Sequence, residues 1–282
     1  MRFKSLLKFL FIVAGLALMS ATQAAEESDA PSALELAIAG DHRSADDKAR
    51  DQYRKPLQTL KFLGFHPDMT VVEIWPGSGW YTQILAAALK DNGKLYAAQF
   101  NSNGAYGFQR RANGKLLSLL GEKPDIYRDV TVTTLDFPYQ LEIAPRESAD
   151  MVVTFRNVHN WVMKLFGSGV HAHLGFQAMY DALKPGGILG IVDHHWPDPK
   201  TEDPISKNGY VSIERTVALA EAAGFELADQ SEILANPLDT KDYPEGVWTL
   251  PPSFALGDAS KDKYTEIGES DRFLLKFVKP EK

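Results

Sequence analysis

Apolar residues follow two rhythms along this chain. Some runs are apolar at almost every position, as strands buried on both faces are. Others recur every three to four residues, as one face of a helix does. Residues 46–65, DDKARDQYRKPLQTLKFLGF, read as helical with a break near Pro56 and an end at Gly64. HPDM turns the chain, and Met69 to Trp75 is the first strand-like run. Tyr81, Ile84, Leu85, Ala88 and Leu89 then lie on one helix face, and DNG ends that helix. KLYAAQF predicts a second strand, a helix follows around Arg110–Leu120, and VTVTTLDF and ADMVVTFRNV predict strands three and four. Leu174, Phe176, Met179, Tyr180 and Leu183 mark a helix whose end is expected at KPGG, because lysine followed by glycine suits a helix C-terminus. GILGIVDHHW predicts a fifth strand. Ser212 to Gly224 reads as a helix with Ser212 as cap and Gly224 as stop, and FELADQSEIL and RFLLKFVK predict the last two strands. Strand and helix alternate through most of this order. The expected fold is α/β, a seven-stranded, mostly parallel sheet with helices on both faces. Residues 236–271 break the rhythm, rich in proline and glycine, and are expected to form a lid-like irregular insertion. Within them DASKDKYTEIGESD reads as a solvated loop.

The N-terminus differs. Arg2, Lys4 and Lys8 precede an apolar run, Phe9 to Met19, and Thr22 and Ala24 stand at the −3 and −1 positions of a cut after Ala24. Residues 1–24 therefore read as a secretory signal peptide whose apolar part is too short for a membrane span. The expected organisation is this leader, an N-terminal tail and helix over residues 25–50, and one α/β domain over residues 51–282. The expected setting is periplasmic, with no stable membrane insertion after cleavage. The chain has no cysteine, which excludes disulfides, thiol chemistry and thiolate metal sites. Its formal charge is −7, and loss of the three basic leader residues leaves 27 basic against 37 acidic residues. So acidic a domain is not expected to bind nucleic acid. Nothing in the pattern specifies an oligomeric state.

Open parallel sheets bind ligands beyond the carboxyl ends of their strands. The first strand ends in Glu73-Ile-Trp-Pro-Gly-Ser-Gly79. Glycine there lets a ligand approach backbone N–H groups at a helix N-terminus. Taken alone, such a turn is a weak signal, and a plain strand-to-helix turn explains it too. Later strand ends add to it: LDF closes the third strand, Asp150 opens the fourth, and LKPGG precedes the fifth.

In this order the chain resembles the class I S-adenosylmethionine-dependent methyltransferases, over about Tyr53 to Val278. The segment EIWPGSGWY, Glu73 to Tyr81, is similar to one in a group of predicted exported methyltransferases. The resemblance implies that architecture and S-adenosylmethionine as cofactor, with a small-molecule methyl acceptor. It aligns Glu73, Trp75, Gly77 and Gly79, with Ser78 between the glycines, on the family's cofactor turn, where Trp75 replaces the first glycine. It puts Gln99 and Asn101 where the family has a ribose-binding acid. Asp136 matches the acid that meets the adenine amino group, with Phe137 beside the ring. Arg156 and Asn157 fall where the family lines cofactor and substrate.

Four histidine positions fall near this sheet edge: His159, His171 or His173, His194 and His195. Asp193 precedes the last two. Histidine beside a carboxylate suits a general base, which makes His159, Asp193, His194 and His195 the candidate catalytic group. A metal site from the same residues is a weaker reading, since adjacent strand residues point to opposite faces, and no metal is assigned. Arg54 reads either as a partner of the cofactor carboxylate or as a helix-surface arginine, and Trp161, Trp196 and Trp248 either shape an apolar pocket or pack. The leading expectation is methyl transfer. The alternatives are a non-catalytic periplasmic ligand-binding protein on the same fold and, more remotely, a metal-dependent hydrolase.

Overall fold

The computed structural model describes residues 31–163 and 171–281 of the 282-residue chain. The expected leader, residues 1–24, lies outside them. The strands are β1 (Thr70–Ile74), β2 (Lys94–Gln99), β3 (Thr131–Thr134), β4 (Ala149–Phe155), β5 (Leu183–His194), β6 (Glu226–Ser231) and β7 (Arg272–Val278). They form one sheet in the order β3-β2-β1-β4-β5-β7-β6. Neighbours among β1 to β5 pair in parallel, and β7 runs antiparallel between β5 and β6. Strand order reverses between β1 and β4, which opens a crevice at their carboxyl ends.

The helices are α1 (Ala33–Ala39), α2 (Ala45–Ala49), α3 (Asp51–Arg54), α4 (Pro56–Leu63), α5 (Trp80–Leu89), α6 (Gly107–Glu122), α7 (Pro124–Tyr127), α8 (Val158–Val162), α9 (Ala172–Ala182), α10 (Ile213–Ala222) and α11 (Lys261–Ile267). Successive strand residues face opposite ways, so each face needs its own cover. Val71, Met151 and Val153 pack with Leu34, Leu60, Leu63, Ile84 and Leu85 from α1, α4 and α5. Val72, Val152 and Leu189 pack on the other face with Phe176, Met179 and Ala220 from α9 and α10. A Cβ on Gly190 would stand 2.5 Å from Leu63 Cδ1, so that glycine lets α4 lie close on β5. No helix among the described residues is long and apolar enough to cross a membrane.

Three local expectations need correcting. KPGG does not cap a helix: Leu183 is already extended and the chain runs straight into β5. Leu183 pairs with Ala149 across a register shift and is fully buried, so the sheet claims the segment. Second, where one helix is expected over residues 25–50, the structure has α2 and, before it, α1. Ser32 and Glu35 form a capping box at its start, a signal present in the sequence. Third, DASKDKYTEIGESD is not a solvated loop throughout. It contains α11, and Glu269, Ser270 and Asp271 are buried. Arg50 and Arg54 from one distant segment, with the nearby Arg272, enclose Glu269, a partnership that local composition does not reveal.

Candidate functional site

The turn after β1 is built on three left-handed residues, Trp75 (φ +42°), Gly77 (φ +64°) and Gly79 (φ +90°). Left-handed geometry at a tryptophan costs on the order of 1–2 kcal/mol. Trp75 is held there by its surroundings. Its N–H donates to Ala98 O at 2.8 Å, and its Nε1 donates to Leu135 O at 2.9 Å. Its ring packs against Phe100 at 4.5 Å, Phe137 at 5.6 Å and Trp161 at 5.9 Å. Trp75 is therefore a core residue beneath the turn. Gly77 and Ser78 stand above it and line a cavity of about 570 Å³. That volume falls within the range of ligand pockets, roughly 300–1,000 Å³.

Glu73 is buried below the same turn, where Thr82 Oγ1 donates to its Oε2 at 2.6 Å. Burial pushes its carboxyl up to about 7, against smaller downward pulls from Thr82 and Arg54. The folded protein then holds a proton that the unfolded chain has lost above pH 4.5. This contribution to stability is present below about pH 4.5 and is lost as pH rises through about 7. Glu73→Gln is expected to flatten that loss and to raise stability at pH 8 by on the order of 2–3 kcal/mol. Urea unfolding of both proteins between pH 4 and 8 measures it, and parallel curves would rule out the buried acid as the cause.

The residues aligned on the nucleoside are engaged within the protein. Gln99 is fully buried, its Nε2 donating to Gly77 O at 2.7 Å and its Oε1 accepting from Phe100 N at 3.0 Å. It braces the glycine turn. Asn101 Nδ2 donates to Asp136 Oδ2 at 2.9 Å. Phe137 packs with Trp75 and Trp161. None of these four side chains lines the cavity, whereas Phe100, the neighbour of Gln99, does.

β4 and β5 supply the opposite wall. Asn157 Nδ2 donates to Ile74 O at 2.9 Å and ties the end of β4 to β1. Arg156, also left-handed (φ +65°), lines the cavity with His159 and His194. Asp193 is fully buried and accepts three hydrogen bonds: from His159 N at 3.0 Å, His159 Nδ1 at 2.7 Å and His194 N at 2.7 Å. An ionised carboxylate only accepts, so the bonded Nδ1 of His159 carries the proton and Nε2 is left as the basic nitrogen. His194 Nδ1 lies 2.5 Å from Ser270 Oγ. Burial, then the neighbouring His159, drives His194 well below the usual imidazole range, so it stays neutral. His195 turns away, as strand alternation requires, and pairs with Asp271 at 3.3 Å. The structure thus brings His159, Asp193 and His194 together and separates His195 from them. His171 lies tilted beside Phe137, with ring centroids 6.1 Å apart.

One donor atom from each of His159, Asp193 and His194 lies within 4.8 Å of the others. The Asp193 oxygens are already taken by three hydrogen bonds, and the remaining imidazole nitrogens fall short of the three protein ligands of a catalytic zinc. The donor set suits proton transfer better than metal binding.

Val247, Trp248 and Pro251 to Ser253 from the 236–271 stretch line the cavity, so this segment shapes the ligand space. Trp248 lies 6.2 Å from His159. Trp161 is instead a core residue, and Trp196 Nε1 donates to Thr201. Arg54 is neither a surface residue nor part of this cavity's wall. It is buried against Glu269 at 3.3 Å and lies over the Trp80 ring at 4.4 Å. Arg50 at 2.6 Å and Arg272 share Glu269. Burial pushes the Glu269 carboxyl up, but Arg272, Arg54 and Arg50 overcome this and hold it well below the usual range. The sequence reading missed Arg111 and Lys115 of α6, which also line the cavity. Their i, i+4 spacing was the available signal.

No protein-family model and no curated protein matches the chain. Solved structures do. A SAM-dependent methyltransferase from Aquifex aeolicus matches with a TM-score of 0.52 at 17% identity, over 83% of this chain and 94% of that one. The [4+2]-cyclase SpnF matches with a TM-score of 0.52 at 16% identity, over 90% of this chain and 98% of the other. One is described by methyl transfer and one by cyclisation, so the shared scaffold does not specify the reaction. Together with the strand order and the one reversed strand, these likenesses show that the chain has the Rossmann-like fold of class I methyltransferases.

Proposed function

We propose that this chain is an S-adenosylmethionine-dependent methyltransferase that acts on a small or medium-sized acceptor in the periplasm. The observation that carries the reading is one cavity bounded by the Gly77–Ser78 turn on one side and, on the other, by His159, which the buried Asp193 backs. The turn fits the cofactor. A Cβ added at Gly77 meets nothing within 4 Å, so the ligand's path to bare backbone is open. Phe100 and Phe108 offer apolar ring surface on the same wall. The leader pattern of residues 1–24 supports the periplasmic setting.

Bound S-adenosylmethionine would supply a methyl group on a sulfonium, whose carbon–sulfur bond breaks as the acceptor's lone pair takes the methyl and a neutral thioether leaves. The chain's part is alignment and proton removal. The turn braced by Gln99 orients the ligand. His159 Nε2 takes the proton of an O–H or N–H acceptor, and Asp193 fixes the ring and stabilises the imidazolium that forms. His194, neutral, bounds the same space.

Calorimetry with purified protein is expected to show binding of S-adenosylmethionine and its demethylated product at micromolar to submillimolar levels. No heat from either at millimolar concentration would remove the cofactor from the reading. One observation favours the alternative of a non-catalytic binding protein: Gln99, Asn101 and Asp136 are hydrogen-bonded within the protein. Native mass spectrometry of protein taken from the periplasm separates the two, because a retained non-nucleoside ligand supports the alternative.

A further inference from the structure

Among the described residues, the cavity wall carries three cationic side chains, Arg111, Lys115 and Arg156, and no carboxylate. This is unexpected in a chain of formal charge −7. None of the three joins an ion pair among the described residues. Arg156 Nε is buried without a hydrogen-bond partner. The acids that reach Arg156 electrostatically are Glu269 and Asp193. Glu269 already serves Arg50, Arg54 and Arg272, and Asp193 is fully bonded to His159 and His194. Burial, then the nearby Arg272, lowers the Arg156 guanidinium to about 10, the sign of a cation short of counter-charge. Beside the polar Ser78, His159, Asn160, His194 and Ser253, the wall has a large apolar share from Phe100, Phe108, Met163, Val247 and Trp248.

We infer that the cavity takes an anionic ligand, an apolar or aromatic body bearing a carboxylate or phosphate group, with Arg111, Lys115 and Arg156 as its charge partners. In the methyl-transfer reading, on which only this assignment of role rests, that ligand is the acceptor. Charge balance agrees, because a bound sulfonium adds positive charge to a space whose described wall has no acid, and an anionic acceptor offsets both. A cavity of about 570 Å³ in an acidic chain suits a small anion better than a nucleic-acid polymer.

The test uses 2-naphthoate and 2-naphthyl phosphate as probes, with 2-naphthalenemethanol and 2-naphthylmethylammonium as neutral and cationic controls. Binding is read by calorimetry without S-adenosylmethionine. At least one anion is expected to bind about tenfold or more tighter than either control, with the preference shrinking as salt rises. The tighter of the two anions identifies the headgroup. The double variant Arg111→Ala, Lys115→Ala changes exposed helix positions. It is expected to weaken anion binding about tenfold while neutral-probe binding and the melting temperature hold. Controls that bind as tightly as both anions overturn the inference. So does anion affinity unchanged in the double variant, or no anion binding at millimolar concentration. A separate titration with S-adenosylmethionine keeps the two readings apart, since its failure removes methyl transfer and leaves the anion preference standing.

Discussion

His159→Ala is expected to lower kcat for methyl transfer by about 10²–10⁴-fold, the usual worth of a positioned general base. Transfer of labelled methyl from S-adenosylmethionine to any acceptor that the unaltered protein methylates provides the assay. The cofactor's dissociation constant should stay within about threefold, because in the proposed reading His159 bounds the acceptor side of the cavity while Gly77 and Ser78 bound the other. The geometry behind this is the 2.7 Å contact between Nδ1 and the buried Asp193, which leaves Nε2 as the basic nitrogen. Asp193→Asn should also lower kcat, since an amide can stabilise the wrong ring tautomer. In the proposed reading Asp193 is a positioning residue, and its test is the split between turnover and binding: Asp193→Asn should lower kcat and leave the cofactor's dissociation constant within about threefold. A merely structural role for Asp193 would lower the melting temperature and weaken cofactor binding together with kcat. Unaltered kcat in His159→Ala would remove the histidine from the mechanism.

Gly77→Val should weaken S-adenosylmethionine binding by about a hundredfold or more and leave the fold intact. The glycine is left-handed at φ +64°, and an added Cβ would project into unfilled space. Backbone strain of about 1–2 kcal/mol is expected for any side chain there, a fall of a few degrees in melting temperature. Gly77→Ala carries the same strain with a smaller obstruction, so the difference between the two variants isolates the steric effect on the ligand. Calorimetry on both, with circular dichroism as the control for folding, decides the matter. Undiminished binding in Gly77→Val would mean that the ligand does not approach this turn.

Element type was legible in the chain because burial on both faces and burial on one face leave different apolar periods. Met69 to Trp75 and KLYAAQF announced parallel interior strands, and Ser212 and Gly224 bracketed α10 through a side-chain cap and a left-handed stop. The glycine turn and the histidine-bearing strand ends were visible for the same reason: their function depends on residue type at a strand end. KPGG misled because helix-ending chemistry and strand-entering chemistry share glycine, and only the pairing of Leu183 with Ala149 separates them.

Side-chain partnership is a different kind of information. Local sequence specified that a tryptophan, a glutamine and an arginine stand at Trp75, Gln99 and Arg54, and that no cysteine stands anywhere. It could not specify that Trp75 turns down onto Phe100 and Leu135 O, that Gln99 braces Gly77, or that Arg54 meets Glu269, 215 residues away. Nor could it say that Arg111, Lys115 and Arg156 line one cavity. The chain's pattern settles which segments are buried and with what period, since hydrophobic burial is non-directional and acts on every residue where it stands. Which polar groups meet is settled by folding, since a hydrogen bond or ion pair in a buried place needs two groups from distant segments within about 3 Å.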